Sequence, residues 1–522
     1  MIRKIRDFRV KCGDLPADGT EREAALTARI RDLLGAGPEE VMHLRITGRS
    51  VDARRGEPEY VYSFEAALNQ PRPESWDRHA LPPGVPSSTA LGTGPVVIGA
   101  GPAGLFAALI LARAGRRPLV LERGGDAESR IAELEQFTVS RTLNPESNFL
   151  FGEGGAGTFS DGKLYTRIRD PYSEYVTDTL VECGAPEAIR FLKRPHLGSD
   201  RLPGIIGNLR RKIIGYGGSF RFNTRAAALE ISSGRCTGVR LASGEVIEAP
   251  AVISAHGSGA RDFARVLASG VTMELKGFQI GARIEHPQLL IDRRQYRCRK
   301  RPGSLEAAEY FVSWHPAETP DRGVASFCMC PGGAVVPATA VPGQLSTNGM
   351  SAAARDGAFA NACLVTTLDG KRFDDPSAAW DFLDRLERGA FRLGGGNFNF
   401  PAQSVASYLA GARPEVPKRG SGAWFDLVPA RLKRLYPAEL AEILPGALKH
   451  FDRLMPGFIA AGVLIGIETT VSSPVRISRD GDGESSLAGF RSAGEGSGHA
   501  GGIVSAACDG IRQAAALLQK GS

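Results

Sequence analysis

A chain of 522 residues with 42% hydrophobic and 23% charged residues is too long for one core and too apolar for wholesale disorder. Its formal net charge of +7, spread over so large a surface, calls for neither nucleic acid nor an anionic membrane as partner. The outlier is glycine: 64 residues, where roughly 7% of a chain is usual, with no collagen-like period. Glycine in that excess belongs in loops that approach something closely, and nucleotide cofactors are the commonest reason for such loops.

Residues 1–67 read as a small N-terminal α/β domain. IRDFRVKC alternates as a strand does, EREAALTARIRDLLG has helical spacing and stops at Gly35, and VMHLRITGRSV and EYVYSFEAAL read as two further strands. Twelve Lys/Arg balance twelve Asp/Glu in this unit. That argues against RNA docking but not against a protein partner. The N-terminal MIRKIRDFRVKCGD lacks the apolar run of a signal peptide, so a cytoplasmic protein is expected. Residues 68–94 hold five prolines and little periodicity and read as a linker.

A new domain is expected from residue 95, with its first part ending at 270. PVVIGAGPAGLFAALILA is nearly long enough to cross a bilayer, but its β-branched start and three glycines read better as strand, turn and helix. The turn is Gly99-Ala100-Gly101-Pro102-Ala103-Gly104. In this pattern the first glycine permits the tight turn, the second lets the backbone approach a pyrophosphate, and the third lets helix and strand pack closely. The helix N-terminus offers N–H groups and a positive dipole end to phosphate. A second strand runs into Glu122-Arg123, at roughly the 20-residue spacing expected of the acid that accepts from ribose. A carboxylate there repels a 2′-phosphate, which favours FAD or NAD over NADP.

Two later stretches favour FAD. Residues 226–257 read as a β-meander, starting at Ala226, and a strand that returns to the nucleotide at Ala255-His256-Gly257. Near the C-terminus, Gly494-Glu495 follows a short strand, and Gly501-Gly502-Ile503 opens a last helix. An acid there suits ribityl hydroxyls, and a helix N-terminus suits the negative charge of a reduced flavin. Between them, Gly152, Gly154, Gly155, Ala156 and Gly157 form a GxGGxG run that can present backbone N–H groups as a nest, followed by Ser160, Asp161 and Lys163. Lys163 can neutralise phosphate or substrate charge, or be a solvated surface lysine.

The stretches GPAGLFAALILARAGRRPLVLERG, SNFLFGEGGAGTFSDGKLYTRI, RPHLGSD, FCMCPGG, NGMS, SSPVRI and AGEGSGHAGGIVSAACDG resemble the bacterial FAD-dependent dehydrogenase family, most of whose members have no known substrate. The resemblance extends over most of residues 1–515, and GEGGAGTFSDGKL and FCMCPGG are its specific parts. It implies a glutathione-reductase-like Rossmann flavoprotein in which the run 152–157 passes close to the pyrophosphate or the ring. Thr470-Val471, His499 and HGSGARDF (256–263) depart from the family pattern, all near the expected flavin or substrate face.

The expected fold is therefore α/β, α+β overall. It has a Rossmann-like FAD-binding domain built from two chain segments, 95–270 and 451–522, and an inserted mixed α/β substrate or cap domain at 271–450. With no second GxGxxG unit, hydride moves between a small-molecule substrate and FAD directly, or electrons pass to or from an external donor or acceptor. A monooxygenase and a non-catalytic flavin sensor or docking protein are the alternatives.

The catalytic candidates are His499, in a glycine-rich turn; Glu285 and His286, after an apolar strand; and Arg476 in SSPVRI, preferred to Arg479 as a carboxylate or phosphate clamp. His196 admits both a cofactor contact and a turn role. The eight cysteines are dilute, and no metal site is expected. Cys328 and Cys330 share one face of a strand, but C-x-C is a poor disulfide frame and small apolar packing competes with redox duty.

Overall fold

The computed structural model describes residues 2–37, 40, 42–54, 56–73, 76, 94–166, 169–319 and 322–520. Most of the expected linker, 77–93, lies outside the described residues.

The N-terminal unit is strand, helix, strand, strand: Ile2–Lys11, Gly19–Leu34, Met42–Asp52 and Glu59–Leu68. Its antiparallel sheet places the last strand in the middle. The helix starts where the Asp18 carboxylate accepts from the N–H groups of Thr20 and Glu21, and ends at Gly35. Tyr60, Tyr62 and Phe64 alternate into the core between sheet and helix. That core also takes in Leu305 and the half-buried Tyr296, so the unit is packed onto the cap domain rather than strung from it. Tyr60 Oη donates to the Ser304 carbonyl, and Ser304 Oγ donates to the Cys12 carbonyl at 2.5 Å.

The nucleotide-binding domain is a five-stranded parallel sheet in the order Phe490–Ser492, Val252–Ser254, Val96–Ile98, Leu119–Leu121, Ser219–Arg221. The strands are short and their residues mostly buried, as parallel strands covered on both faces must be. The outermost strand, Phe490–Ser492, comes from the far end of the chain, so the sheet is closed only after the cap domain has been inserted. The meander Ala226–Ser232, Arg235–Leu241, Val246–Glu248 forms a separate small sheet. The final helix Ile503–Lys520 packs along helix Pro102–Arg113 so closely that a Cβ on Gly510 would lie 2.0 Å from the Ala103 carbonyl oxygen.

The cap is a seven-stranded mixed sheet in the order Ser313–Trp314, Val324–Cys330, Phe359–Leu368, Phe278–Pro287, Val463–Glu468, Phe400–Ser404, Leu427–Pro429. Helices Pro376–Leu393 and Ala438–Leu454 bury their apolar sides in its core. The expected boundary at 450 falls inside the second of these helices. Strand Val463–Glu468, expected in the FAD domain, sits between two cap strands. Its burial pattern is continuous, which is why an apolar run alone does not say which sheet it joins.

Strand Val324–Cys330 carries a bulge between Phe327 and Cys330, with Cys328 at φ +43°. That conformation is costly for a residue with a side chain and is held from outside: Arg283, fully buried, donates to the Cys328 carbonyl at 2.9 Å.

Candidate active site

A single cleft of about 610 Å³ runs from the carboxyl ends of the parallel strands to the cap sheet. Gly99, Gly101, Pro102 and Ala103 line it from the first strand and helix, and Glu122 and Arg123 from the second strand. Gly155, Ala156 and Gly157 close it from above, while Ala226, Ala255 and Gly257 line it from the meander and the return strand. Gly494, Glu495, Gly501, Gly502 and Ile503 line it from the C-terminal turn and helix. The structure thus brings residues from four distant chain segments onto one wall. Gly104, Gly152 and Gly154 sit behind that wall: a Cβ on Gly104 would lie 1.9 Å from the Gly99 carbonyl oxygen, and the N–H of Gly154 donates to the Ala100 carbonyl at 2.8 Å.

Glu122, expected to accept from ribose, is engaged by three backbone N–H groups. Its Oε2 accepts from the Ala100 N–H at 2.8 Å, and its Oε1 from those of Gly124 at 2.9 Å and Gly152 at 3.0 Å. One carboxylate therefore pins both glycine loops to the second strand. Oε2 keeps acceptor capacity on the cleft side, because each carboxylate oxygen has two lone pairs. Arg123 pairs with Glu146 at 2.9 Å and Asp262 at 3.0 Å, over the Phe151 ring.

Glu495 accepts from Ser258 Oγ at 3.0 Å, and burial pushes its carboxyl up to about 7. His256, also on the wall, has Nδ1 2.9 Å from Ser254 Oγ and is pushed down to about 4 by burial, so it is neutral at pH 7.

The four expected catalytic side chains do not line the cleft. His499 Nε2 is 2.9 Å from the Ile477 carbonyl oxygen, and the turn beside it is glycine-rich because a Cβ on Gly498 would lie 2.1 Å from the Val475 carbonyl. Gly498 therefore serves chain packing rather than ligand approach. Glu285 and His286 are fully buried on a central cap strand. Glu285 accepts from Ser421 Oγ at 2.9 Å and the Gly422 N–H at 2.8 Å, holding the loop at 413–421, and His286 Nε2 is 2.9 Å from the Phe458 carbonyl oxygen. Arg476 is exposed on strand Val475–Ile477. Arg479 is spent on Asp509, both of whose oxygens it reaches at 2.9 Å.

Other residues occupy the cap side of the cleft. Lys163, Tyr310, Cys328, Cys330, Asn348 and Glu468 line it. Glu468 Oε2 lies 2.8 Å from Arg283 Nη2, which also donates to Asn348 Oδ1 at 2.9 Å. Burial raises the Glu468 carboxyl while Arg283 and the Cys363 thiol pull it back. Burial also keeps both thiols protonated, pushing Cys328 up to about 12 and raising Cys330. His196 Nε2 is 3.1 Å from the Ala353 carbonyl oxygen, and it belongs to a turn behind Lys163. Among the described residues no cluster of His, Cys, Asp and Glu has the form of a metal site, and no helix is long and apolar enough to cross a membrane.

The wall fits a flavin dinucleotide. A Cβ on Gly101 would meet only the Gly155 Cα, 3.9 Å away, and one on Gly501 would meet nothing. The protein itself does not demand glycine at either place, and both positions line the cleft. The N-termini of helices Pro102–Arg113 and Ile503–Lys520 both open onto this space, where their positive ends suit a pyrophosphate and an electron-rich ring edge.

A family model described as "FAD-dependent protein, C-terminal domain-like" matches residues 277–471, and one for an NAD(P)-binding Rossmann-like domain matches residues 97–141. An uncharacterized protein of Clostridium beijerinckii is 41% identical over 436 residues, covering 82% of this chain and 81% of its own length. The chain belongs to this FAD-dependent protein family, and its cofactor is FAD. It is a flavin-dependent oxidoreductase by family.

Solved structures are more remote. A geranylgeranyl bacteriochlorophyll reductase-like protein of Thermoplasma acidophilum is 13% identical, with 83% of this chain and 80% of that chain covered and a TM-score of 0.35. The L-proline dehydrogenase of P. horikoshii is 12% identical, with 83% and 94% covered and a TM-score of 0.33. CtdE, solved in complex with FAD, is 13% identical, with 82% and 84% covered and a TM-score of 0.31.

Proposed function

We propose that this flavoprotein is a dehydrogenase that transfers hydride between a small organic substrate, held against the cap sheet, and flavin N5. The observation that carries the reading is the continuity of one cleft from the nucleotide loops to Lys163, Tyr310 and Glu468. Bound FAD supplies the hydride acceptance and donation. The chain's own residues hold and exclude. The two helix N-termini and the loop at 155–157 take the pyrophosphate and ring edge, Glu122 Oε2 takes ribose hydroxyls, and Glu495 takes ribityl hydroxyls.

On the cap side, Tyr310 Oη is buried without a hydrogen-bond partner among the described residues, and burial holds it protonated. We assign its hydroxyl as a hydrogen-bond donor to a substrate oxygen or nitrogen. Phe327 and Val365 add apolar surface to the lining of the cleft. The described residues contain one parallel dinucleotide sheet, so we assign the second electron-transfer partner to a separate molecule.

Anaerobic photoreduction followed by mixing with O2, NAD+ and NADP+ tests the reading. Slow reoxidation by O2 without oxygen insertion into any added compound is expected. Rapid O2 consumption coupled to hydroxylation of a product would make the protein a monooxygenase instead.

A further inference from the structure

A buried arginine and a partly buried lysine share one carboxylate at the cap end of the cleft. Asp161, 2% exposed, receives Arg355 on both oxygens, Nε on Oδ1 at 2.9 Å and Nη2 on Oδ2. Lys163, 14% exposed, reaches the same Oδ2 at 2.8 Å. One negative charge thus faces two positive ones, and an uncompensated buried charge is expensive. The nearby groups do not supply the missing charge. Glu309 favours the Arg355 charge but is itself paired with Arg194 at 3.1 Å, Glu468 is paired with Arg283 at 2.8 Å, and the Cys328 and Cys330 thiols are neutral. His196, behind the cluster, is kept neutral by burial.

Of the two cations, only Lys163 lines the cleft. The Arg355 fork is engaged with Asp161, whereas an ammonium has three donors. Among the described residues one Lys163 donor goes to Asp161, and a second points at Cys330 Sγ, 3.8 Å away and a weak acceptor. The third is unspent. The same cleft is lined by the apolar side chains of Phe311, Phe327 and Val365.

We infer that Lys163, held by Asp161 and Arg355, anchors the anionic head of the substrate, and that the substrate is a small carboxylic acid with an apolar or aromatic body. The inference rests on the reading of this cleft as a joint FAD and substrate site. Asp161 orients the ammonium, and Arg355 prevents the Lys163–Asp161 pair from being electrically self-sufficient. A carboxylate arriving at Lys163 completes the charge balance, and a neutral amide of the same shape does not.

The test is a titration of the FAD-loaded protein with benzoate and with benzamide, read by the flavin absorption spectrum. Benzoate is expected to shift the flavin bands saturably, and benzamide to bind at least about tenfold more weakly, the discrimination of one charge-assisted hydrogen bond. Lys163→Met is expected to cost benzoate about tenfold and leave benzamide unchanged, while Lys163→Arg retains the preference. Equal affinity for the two probes overturns the proposal, as does undiminished benzoate binding by Lys163→Met. So does the absence of any saturable shift with benzoate, acetate or formate in the wild-type protein. The wild-type pair of titrations decides even if Lys163→Met does not fold. A purified protein without flavin would instead overturn the reading of the cleft, and the proposal with it, before any titration begins.

Discussion

Arg130 Nη1 lies 2.8 Å from the carbonyl oxygen of Gly155. The same guanidinium donates to the carbonyls of Glu153 at 2.9 Å and Asn148 at 2.8 Å, and its plane stands over the Phe159 ring. A fully buried arginine on helix Ala127–Ser140 is therefore the template on which the loop at 148–157 is wound. Burial pulls it down to about 10, so it stays charged at neutral pH.

Replacing Arg130 with Met removes a donor from the carbonyls of Asn148, Gly152, Glu153 and Gly155. The last three keep, respectively, the Gly155 N–H, Thr158 Oγ1 and the Thr158 N–H, so among the described residues Asn148 is the one left orphaned. An orphaned buried acceptor costs about 1–3 kcal/mol, and a loss of that size is expected, together with loss of FAD during gel filtration. Urea unfolding and the flavin-to-protein absorbance ratio check this. A variant that keeps full FAD would show that the loop holds its shape without the arginine.

His286 makes the protein acid-sensitive. The unfolded chain takes up this proton near the ordinary value of 6.5, whereas burial pushes the native group down to about 4. The native state binds fewer protons across that window, so stability is complete above 6.5 and falls as the pH drops towards 4, by about 3 kcal/mol at the low end. Urea midpoints at pH 7.5 and pH 5 should differ less in His286→Gln than in the wild-type protein. An identical pH slope in both would remove His286 from the account.

The N-terminal unit should unfold with the rest of the chain. Tyr60→Phe removes a buried hydroxyl from the Ser304 carbonyl, and Arg49→Ala removes the 2.8 Å pair with Glu306. The first is expected to cost about 1–3 kcal/mol and the second about 1 kcal/mol or less. Calorimetry should show a single transition in the wild-type protein, since the core of the unit includes Leu305 of the cap. Two well-separated transitions would mean that residues 1–67 behave as an independent body.

His499→Ala is expected to leave the rate of flavin reduction and the flavin midpoint potential within about twofold and about 10 mV of the parent, because the ring is engaged with the Ile477 carbonyl and lies off the cleft wall. Stopped-flow reduction and a dye-coupled potential measurement check it. A tenfold slower reduction would restore His499 as a catalytic group.

Much of the cofactor half of the site was legible because its rules are local. The turn at Gly99–Gly104, the acid at Glu122 and the glycines before Ile503 each declare themselves within a few residues. The cap half was not. Asp161 and Arg355 are 194 residues apart in the chain, and no local pattern links them. Arg130 reads as an ordinary surface arginine in a polar helix until the loop folds over it. Glu285 and His286 look like an acid–base pair because sequence does not say that a central strand is covered on both faces. Gly498 misled for a related reason: a glycine required by a neighbouring carbonyl and one required by a ligand are the same letter.

That last distinction supplies the most direct test of the central claim, that this cleft is built around FAD. Gly101 has φ −74°, open to any residue, and nothing of the protein nearer than 3.9 Å to its absent Cβ, whereas a Cβ on Gly104 would lie 1.9 Å from the Gly99 carbonyl oxygen. The measurement is the amount and identity of cofactor released by heat from the wild-type protein and from Gly101→Val, with circular dichroism of both. Stoichiometric FAD is expected from the wild-type protein, and a folded but nearly colourless protein from Gly101→Val. FMN in the wild-type protein, or full retention of FAD by folded Gly101→Val, would contradict it.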